Sequence, residues 1–316
     1  MATTNSTQVQ SSELIGVPQD VDPVISMLQP DKTKTVSMIR KISITETKTS
    51  WLEDTLREPG SNAAVEGARA VPTARDQPEM LDNCTQIFQD TFSITGTSQA
   101  VKLYGRTSET NRQTVKAGLA LKQDLEFAIV GNIQQAARQG TPAVAGLMGA
   151  LGTLIHPDHI QALGTPASGA TAAVPGTLTE DILNAALQKL WEAGADTSVI
   201  QGPGQIANTI AAWAFKAPGG NERQVQQPAS STKLVAHVDI YEGPFGGPQT
   251  VVKNRVFQKD ATSIMDPDNF ALATLRGWQR TPLAIVGDSR EFQILGEFSL
   301  TAENRKRAFL LTNVGQ

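Results

Sequence analysis

Cysteine is almost absent. Cys84 is the only one in 316 residues, so no intramolecular disulfide forms and zinc sites built on several thiolates are excluded. Clustered basic charge is missing too. The formal charge is −4, and no stripe of Lys and Arg supplies the phosphate affinity of a dedicated nucleic-acid binder; any DNA contact is expected to be weak and non-specific. Long hydrophobic runs are scarce: the best, residues 143–155, is too short for a bilayer and is diluted by Gly146, Gly149 and Gly152. The N-terminus has neither a basic segment nor an apolar core, so no signal peptide is expected. The Asn5-Ser6-Thr7 and Asn83-Cys84-Thr85 sequons then read as chance. A soluble protein made in the cytosol, with no membrane partner, is the expectation. Apolar residues at 40% and charged residues at 18% exclude a wholly disordered chain, and the length suffices for one large or two modest domains.

Residues 1–30 lack Lys and Arg altogether and carry Glu13, Asp20 and Asp22 among Ser, Thr, Gln and Pro. They read as an extended arm, ordered only where a neighbour holds it, with Val24, Ile25, Met27 and Leu28 as a docking patch. From Lys34 to Trp51 the pattern alternates, with Val36, Met38, Ile42 and Ile44 opposite Ser37, Lys41, Ser43 and Thr45. Phe88, Phe92 and Ile94 alternate in the same way with Gln89, Thr91 and Ser93. Between these expected strands, Glu53 to Glu79 is charged and rich in Gly, Pro and Ala. Two strands around a polar excursion predict a projecting β-ribbon. A lone ribbon is marginal in water, so it should rest on another chain; the bland alternative is a long surface hairpin on a monomer.

Ser108 to Arg138 predicts one amphipathic helix of about thirty residues, beyond the roughly 8–20 of ordinary helices. Thr107 or Ser108 suits the N-cap, Glu109 the first turn, Arg138 the last turn and Gly140 the C′ position. Val115, Leu119, Leu121, Leu125, Ala128, Ile129 and Ile133 form the apolar stripe, with Arg112, Lys116, Gln123 and Glu126 placed on other faces. The helix would be roughly 45 Å long. Gly118 and Gly131 interrupt any heptad, which favours packing on a sheet over a coiled coil. Gln139 to Thr179 holds Asp158 as its only formal charge and reads as a glycine-rich loop or hinge. Thr177-Leu178-Thr179-Glu180 has the form of a capping box ahead of a helix with Ile182, Leu183, Ala186, Leu187, Leu190 and Trp191 on its apolar side and Gly194 at its end. Ser198–Gln201 reads as a strand and Gly204–Phe215 as a helix with Ile206, Ile210 and Trp213 inward. Leu234–Tyr241, Thr250–Phe257, Phe292–Leu300 and Ala308–Val314 read as strands. The whole predicts an α+β fold.

Candidate chemistry is sparse. In His156-Pro157-Asp158-His159 the proline prevents helical presentation of ligands, and no further ligand pair supports a metal, so a solvent-exposed loop is expected. His237 reads as a half-buried strand residue. Gly287-Asp288-Ser289 lacks the glycine-flanked serine of a nucleophile elbow and reads as a turn between strands. Gly202-Pro203-Gly204 lacks a P-loop lysine and reads as a helix-entry turn, and Gly243–Gly247 as a turn without cofactor signature. Glu53, Asp54, Glu58 and Glu66 lie where no rigid scaffold tunes a catalytic pair, and read as solvated charge. No catalytic, cofactor-binding or metal site is expected, and no cofactor.

One ordered set of short segments carries more than any single motif. Trp51-Leu52-Glu53-Asp54-Thr55-Leu56, Val65-Glu66-Gly67, Asn83-Cys84-Thr85-Gln86-Ile87-Phe88, Ser93-Ile94-Thr95-Gly96-Thr97 and Ser108-Glu109 lead to Leu121-Lys122-Gln123-Asp124-Leu125-Glu126. Asn254-Arg255, Met265-Asp266-Pro267, Leu275-Arg276, Leu283 to Gly287-Asp288-Ser289, and Glu297-Phe298-Ser299-Leu300 follow. Together, over residues 30–314, they resemble the major head proteins of tailed bacteriophages. The resemblance implies the Hong Kong 97 phage capsid fold, shared with encapsulin shells. Residues 1–30 would be the N-terminal arm, 31–95 the extended loop and flanking strands, and 96–145 the peripheral domain with its spine helix. Residues 146–275 would be the axial domain and 276–316 strands returning to the peripheral domain. It further implies a non-enzymatic subunit that self-associates into pentamers and hexamers of an icosahedral shell around double-stranded DNA. The protein would reside in the virion after assembly in the host cytoplasm, with scaffolding, portal and decoration proteins as partners. No long helical extension precedes the arm, so scaffolding is expected from another protein. Tyr241-Glu242-Gly243-Pro244 departs from the aspartate-rich turn the resemblance implies, and no residue pair matches the covalent cross-link of one branch. An encapsulin-like compartment shell and, from another class, a hydrolase using Ser289, His237 and Asp288 are the alternatives.

Overall fold

The computed structural model describes residues 33–57, 59–67, 69, 72, 75, 77–101, 108–140, 143–164, 176–215, 238–245, 247–285 and 287–315. The expected arm, with its patch at Val24–Leu28, lies outside them, as do Glu58, Thr107 and His237. In chain order come α1 (Lys34–Met38), β1 (Arg40–Ser43), β2 (Lys48–Glu53), β3 (Glu79–Cys84), β4 (Gln86–Thr95), α2 (Gly96–Ala100) and α3 (Glu109–Val130). Then follow β5 (Gln139–Gly140), β6 (Ala143–Val144), β7 (Ile160–Ala162), α4 (Glu180–Glu192), β8 (Val199–Gly202), α5 (Gly204–Phe215), β9 (Ile240–Tyr241) and β10 (Gln249–Lys253). The chain closes with β11 (Thr262–Met265), β12 (Phe270–Pro282), β13 (Ser289–Ala302) and β14 (Ala308–Thr312). The described elements are mixed helices and sheets, as an α+β fold requires.

Two sheets organise two cores. A four-stranded sheet runs β1-β12-β13-β4 and a six-stranded sheet β7-β14-β11-β8-β10-β9. The first core joins α3 to the four-stranded sheet through Leu121, Leu125, Ala128 and Ile129 against Phe88, Phe298 and Leu300. The second joins α4 and α5 to the six-stranded sheet through Leu183, Leu187 and Ile210 against Ile200, Ile264 and Phe309. Alternation along two strands divides the cores: Met265 and Ala308 face the first, Ile264 and Phe309 the second.

The long helix is shorter than its pattern predicted. Ser108 caps it, its Oγ accepting from the Asn111 N–H at 3.4 Å, but the helix stops after 22 residues, about 33 Å. Gly131 ends it in extended geometry, where a Cβ would meet the Phe127 carbonyl oxygen at 2.7 Å. Residues 132–138 then run outside the helix, so neither Arg138 nor Gly140 caps it. Two face assignments also change: Val115 is 58% exposed, whereas Glu126 is fully buried.

Other expectations move as well. Residues 34–38, predicted as strand, form α1, because the Glu126 carboxylate accepts the N–H groups of Thr35 and Val36 at 2.8 and 3.0 Å. Such an acceptor at a helix start satisfies donors that a strand register would have used. Phe88, Phe92 and Ile94 do face inward, but on β4 of the four-stranded sheet; the ribbon is β2 paired with β3. Residues 143–163 are no flexible hinge: Met148, Leu151, Leu154 and Ile155 sit in the first core. Thr179, not Thr177, caps α4, and Gly194 with φ of 76° ends it as expected. Trp191 is exposed rather than buried on α4. Tyr241, in the turn that departs from the resemblance, directs its hydroxyl to Asn184 Oδ1 at 2.8 Å. The strand expected to reach Phe257 ends at Lys253, and β11 and β12 have no counterpart in the sequence-based expectation.

The packing also redistributes segments. Residues 148–155 and 270–272, within the span expected to be axial, belong to the first core, while Phe309, Leu311 and Val314, within the span expected to return to the peripheral domain, belong to the second.

Candidate assembly surface

The ribbon is the feature least explained by the subunit's own core. Along β2, Thr49, Trp51 and Glu53 turn inward while Lys48, Ser50 and Leu52 turn outward, and Trp51 packs on the first core. On the outward face Leu52 stands opposite Met80 in the β2–β3 register, at 67% and 69% exposure. A cross-strand apolar pair ordinarily stabilises a sheet by covering itself; this one covers nothing. Beyond it, residues 54–78 form no helix or strand among those described, and Leu56 and Val65 stand 97% and 79% exposed.

The ribbon's root is pinned by buried polar groups. Asn83 is fully buried and uses both ends of its amide: Nδ2 donates to the Leu300 and Gly149 carbonyls at 2.7 and 3.2 Å, and Oδ1 accepts from Gly149 and Cys84 N–H at 2.7 and 2.9 Å. Glycosylation at this sequon is therefore sterically excluded. Next along, Glu297 on β13 accepts from Thr85 Oγ1 at 2.8 Å, Arg138 at 2.6 Å and Arg276 Nε at 2.9 Å. Burial alone would raise this carboxyl, but the hydrogen bonds from Arg138, Thr85 and Arg276 prevail and hold it below the ordinary carboxylate value.

At the outer end of the paired strands, Glu53 and Glu79 stand directly opposite each other, a like-charge pairing that is unfavourable by itself. Arg305 resolves it. Its Nε donates to Glu53 at 2.9 Å, its terminal nitrogen to Glu79, and its backbone N–H to Glu53 as well. Glu53 is thus not solvated charge but an anchor at the outer end of the ribbon's paired strands. Arg305→Ala should destabilise the subunit by about 2 kcal/mol, between the values for exposed and buried pairs. Adding Glu53→Gln should recover part of that loss, read as midpoint shifts in thermal melts; a double variant less stable than the single one would refute the repulsion.

The residues screened for chemistry do not converge. His159 is buried, not on an exposed loop: its Nδ1 lies 3.3 Å from the Ala308 carbonyl oxygen, and its ring packs on Phe309. Burial is the main reason its pKa falls below the usual imidazole value, with His156 and Lys306 nearby adding to the effect. Among the described residues no group of three His, Cys, Asp or Glu could hold a metal. Asp288 lies between β12 and β13 and Ser289 opens β13, with the Asp288 carbonyl accepting the Gly96 N–H at 2.9 Å. Gly202 ends β8 and Gly204 opens α5, joined by Pro203, and the described residues of 243–247 lie between β9 and β10. The residues that matter at the ribbon, Arg305, Arg138 and Glu297, were missed; nothing local in the sequence pairs Arg305 with Glu53, 252 positions away.

The sign of the pH dependence follows from these two groups. Both Glu297 and His159 have lowered folded-state values, so the unfolded chain binds more protons in the window below each group's ordinary value. The stability they confer is complete above those values and is lost as pH falls. Unassembled subunits should weaken first below the imidazole range, near pH 6.5, and again in the carboxylate range. His159→Phe should remove the upper phase in denaturant titrations repeated across pH; an unchanged upper phase would refute the assignment.

A family model described as SU10 major capsid protein matches residues 1–315. The chain belongs to that family. It is 27% identical over 318 residues to the major capsid protein of Escherichia phage Phieco32, with 89% of each chain covered. Among solved structures it is similar to the capsid of an empty GTA particle, over 97% of this chain and 98% of that one, at 12% identity and a TM-score of 0.67. It is also similar to the procapsid of satellite phage P4 that includes the size determination (Sid) protein, over 92% and 93% of the chains, at 13% identity and a TM-score of 0.54. The fold is that of Hong Kong 97-like phage capsids. The chain is a phage major capsid protein that forms an icosahedral capsid shell and so is part of the virion; it is a structural protein, not an enzyme. Neither the compartment-shell nor the hydrolase alternative gains support from these matches.

Proposed function

We propose that this subunit builds pentamers and hexamers around double-stranded DNA by laying its ribbon across a neighbouring copy. The uncovered Leu52–Met80 pair, carried on a rigidly rooted ribbon, supports this most directly. An exposed apolar pair held in fixed geometry is a contact surface awaiting its complement. The body around α3 and the four-stranded sheet then serves as the peripheral domain, with α3 as the spine helix. The body around α4, α5 and the six-stranded sheet serves as the axial domain. Residues 1–30 act as the N-terminal arm.

Partners beyond the chain itself are a scaffolding protein, a portal and a decoration protein, with assembly in the host cytoplasm. The Sid protein in the similar P4 procapsid is a precedent for an assembly partner. DNA contact is weak and non-specific, consistent with the net negative charge and with Arg40, Lys48, Arg138, Arg276, Arg305 and Arg307 being engaged by carboxylates. Purified protein, alone or with a scaffolding partner, should sediment as capsomers and form closed shells in negative-stain images. A monomer that stays monomeric beside that partner would overturn the proposal.

A further inference from the structure

The boundary between the two cores is polar. Thr35, Glu126, Gln201 and Asn254 meet there, none more than 3% exposed. They come from α1, α3, β8 and the residue following β10. The Glu126 carboxylate accepts the Thr35 and Val36 N–H groups at 2.8 and 3.0 Å, and Asn254 Nδ2 at 2.6 Å. Thr35 Oγ1 in turn lies 2.7 Å from Gln201 Nε2 and 3.3 Å from Asn254 Nδ2, accepting from both. Ser263 stands opposite Gln201 in the β11–β8 register and extends the layer. Among the described residues, Ser263 Oγ and Gln201 Oε1 are buried with no hydrogen-bond partner.

Two dependences follow. A five-residue helix does not hold itself in water, and Thr33 supplies no side-chain cap, so α1 relies on Glu126. A buried carboxylate is costly without donors, so Glu126 relies on α1. The same threonine that opens this exchange is bonded to β8 of the second sheet. Any pull on the segment before Thr33 is therefore felt first by α1, then by Glu126, then by the placement of β8.

We propose that this layer is the subunit's internal joint: α1 and Glu126 form a latch coupling the N-terminal segment to the relative placement of the two cores. The inference rests on the shell proposal above, because one sequence that fills both pentamers and hexamers must absorb a difference in geometry somewhere. Interdigitated apolar packing resists small displacements, since sliding opens voids. A hydrogen-bonded layer with spare acceptors re-pairs when its two sides shift, which gives it discrete alternative arrangements.

The test is hydrogen exchange on unassembled subunits of the wild type, Glu126→Gln and Thr35→Val, followed by assembly of each. Glu126→Gln keeps shape and loses charge, and should speed exchange at least tenfold in 33–39 and, together with it, in 199–202 and 254–256. Thr35→Val keeps the α1 N–H groups on Glu126 but removes the shared hydroxyl, and should loosen 199–202 and 254–256 while α1 stays protected. If Glu126→Gln affects 33–39 alone, Glu126 is a local cap and the coupling is refuted. In assembly, both variants should give open sheets or shells of mixed diameter. Uniform shells of wild-type diameter from both would refute the joint. Should Glu126→Gln not fold, Thr35→Val decides on both readouts. If the wild type forms no shell even beside a scaffolding partner, it is the shell proposal that fails, and the exchange data still decide the coupling.

Discussion

Leu125→Asp should yield insoluble or unfolded protein. Leu125 is 2% exposed in the C-terminal third of α3, between Leu121 and Ile129 in the first core. An aspartate there has no charged or hydrogen-bonding partner on the apolar side of the helix, and the adjoining Glu126 carboxylate already uses the donors nearby. Burying an unpaired carboxylate costs upwards of about 5 kcal/mol, against a total stability of about 5–15 kcal/mol for a typical domain. Leu125→Met, which conserves volume and polarity, should cost less than about 1.5 kcal/mol and separates the charge effect from mere disturbance. Soluble fraction and near-ultraviolet circular dichroism provide the readout. A soluble Leu125→Asp subunit with a near-native melt would mean that α3 does not carry the core assigned to it.

The stripe on α3 was legible because a helix repeats its buried face every three to four residues, and Leu121, Leu125, Ala128 and Ile129 obey that period. The same period placed Glu126 outside, and there it misled. The charge is buried because α1 and Asn254 bring three donors to it from 91 and 128 positions away, and no local pattern encodes such a meeting. The α1 segment failed for the mirror-image reason: its alternation was real, but an acceptor on another helix selected the helical form.

Strand β4 was legible because one face is buried and the other open, so Phe88, Phe92 and Ile94 alternate cleanly. Strand β12 was not. Its first four residues are buried and most of its second half is exposed, with register shifts on either side of Arg276. Both conditions destroy a period of two. Strand β11, four residues all buried, is too short for a pattern to accumulate. The stretch from Gln139 to Thr179, with Asp158 as its one charge, has a loop's composition because Gly and Ala are abundant in it. Those small residues instead permit close packing: a Cβ on Gly146 would meet the Thr85 carbonyl oxygen at 2.8 Å. As for the ribbon, its existence and polar tip were readable, while its root was not, since Asn83, Glu297 and Arg305 act through partners far along the chain.

Replacing residues 56–72 by a short Gly-Ser linker should leave a folded subunit that does not close shells. The excised stretch lies beyond the Arg305 clamp on Glu53 and Glu79, so the paired strands and the Asn83 and Glu297 contacts at their root are untouched. Its described residues contribute nothing to either hydrophobic core, and shortening a loop changes its closure entropy by only about 0.6 kcal/mol per halving. The variant should therefore keep a cooperative melt within a few degrees of the wild type and near-native circular dichroism. What it loses is the exposed reach of the ribbon, including Leu56 and Val65, and with it the contact that a neighbouring copy would receive. Negative-stain images and sedimentation should show capsomers or small aggregates in place of closed particles. Unfolding of the variant would place the excursion in the subunit's own core, and normal shells would reduce it to decoration; either result would remove the ribbon from the assembly surface. Leu52→Ser with Met80→Ser, which keeps the tip and strips only the outward apolar pair, localises the effect further: an assembly defect from this pair alone assigns the contact to the ribbon's strands rather than its tip.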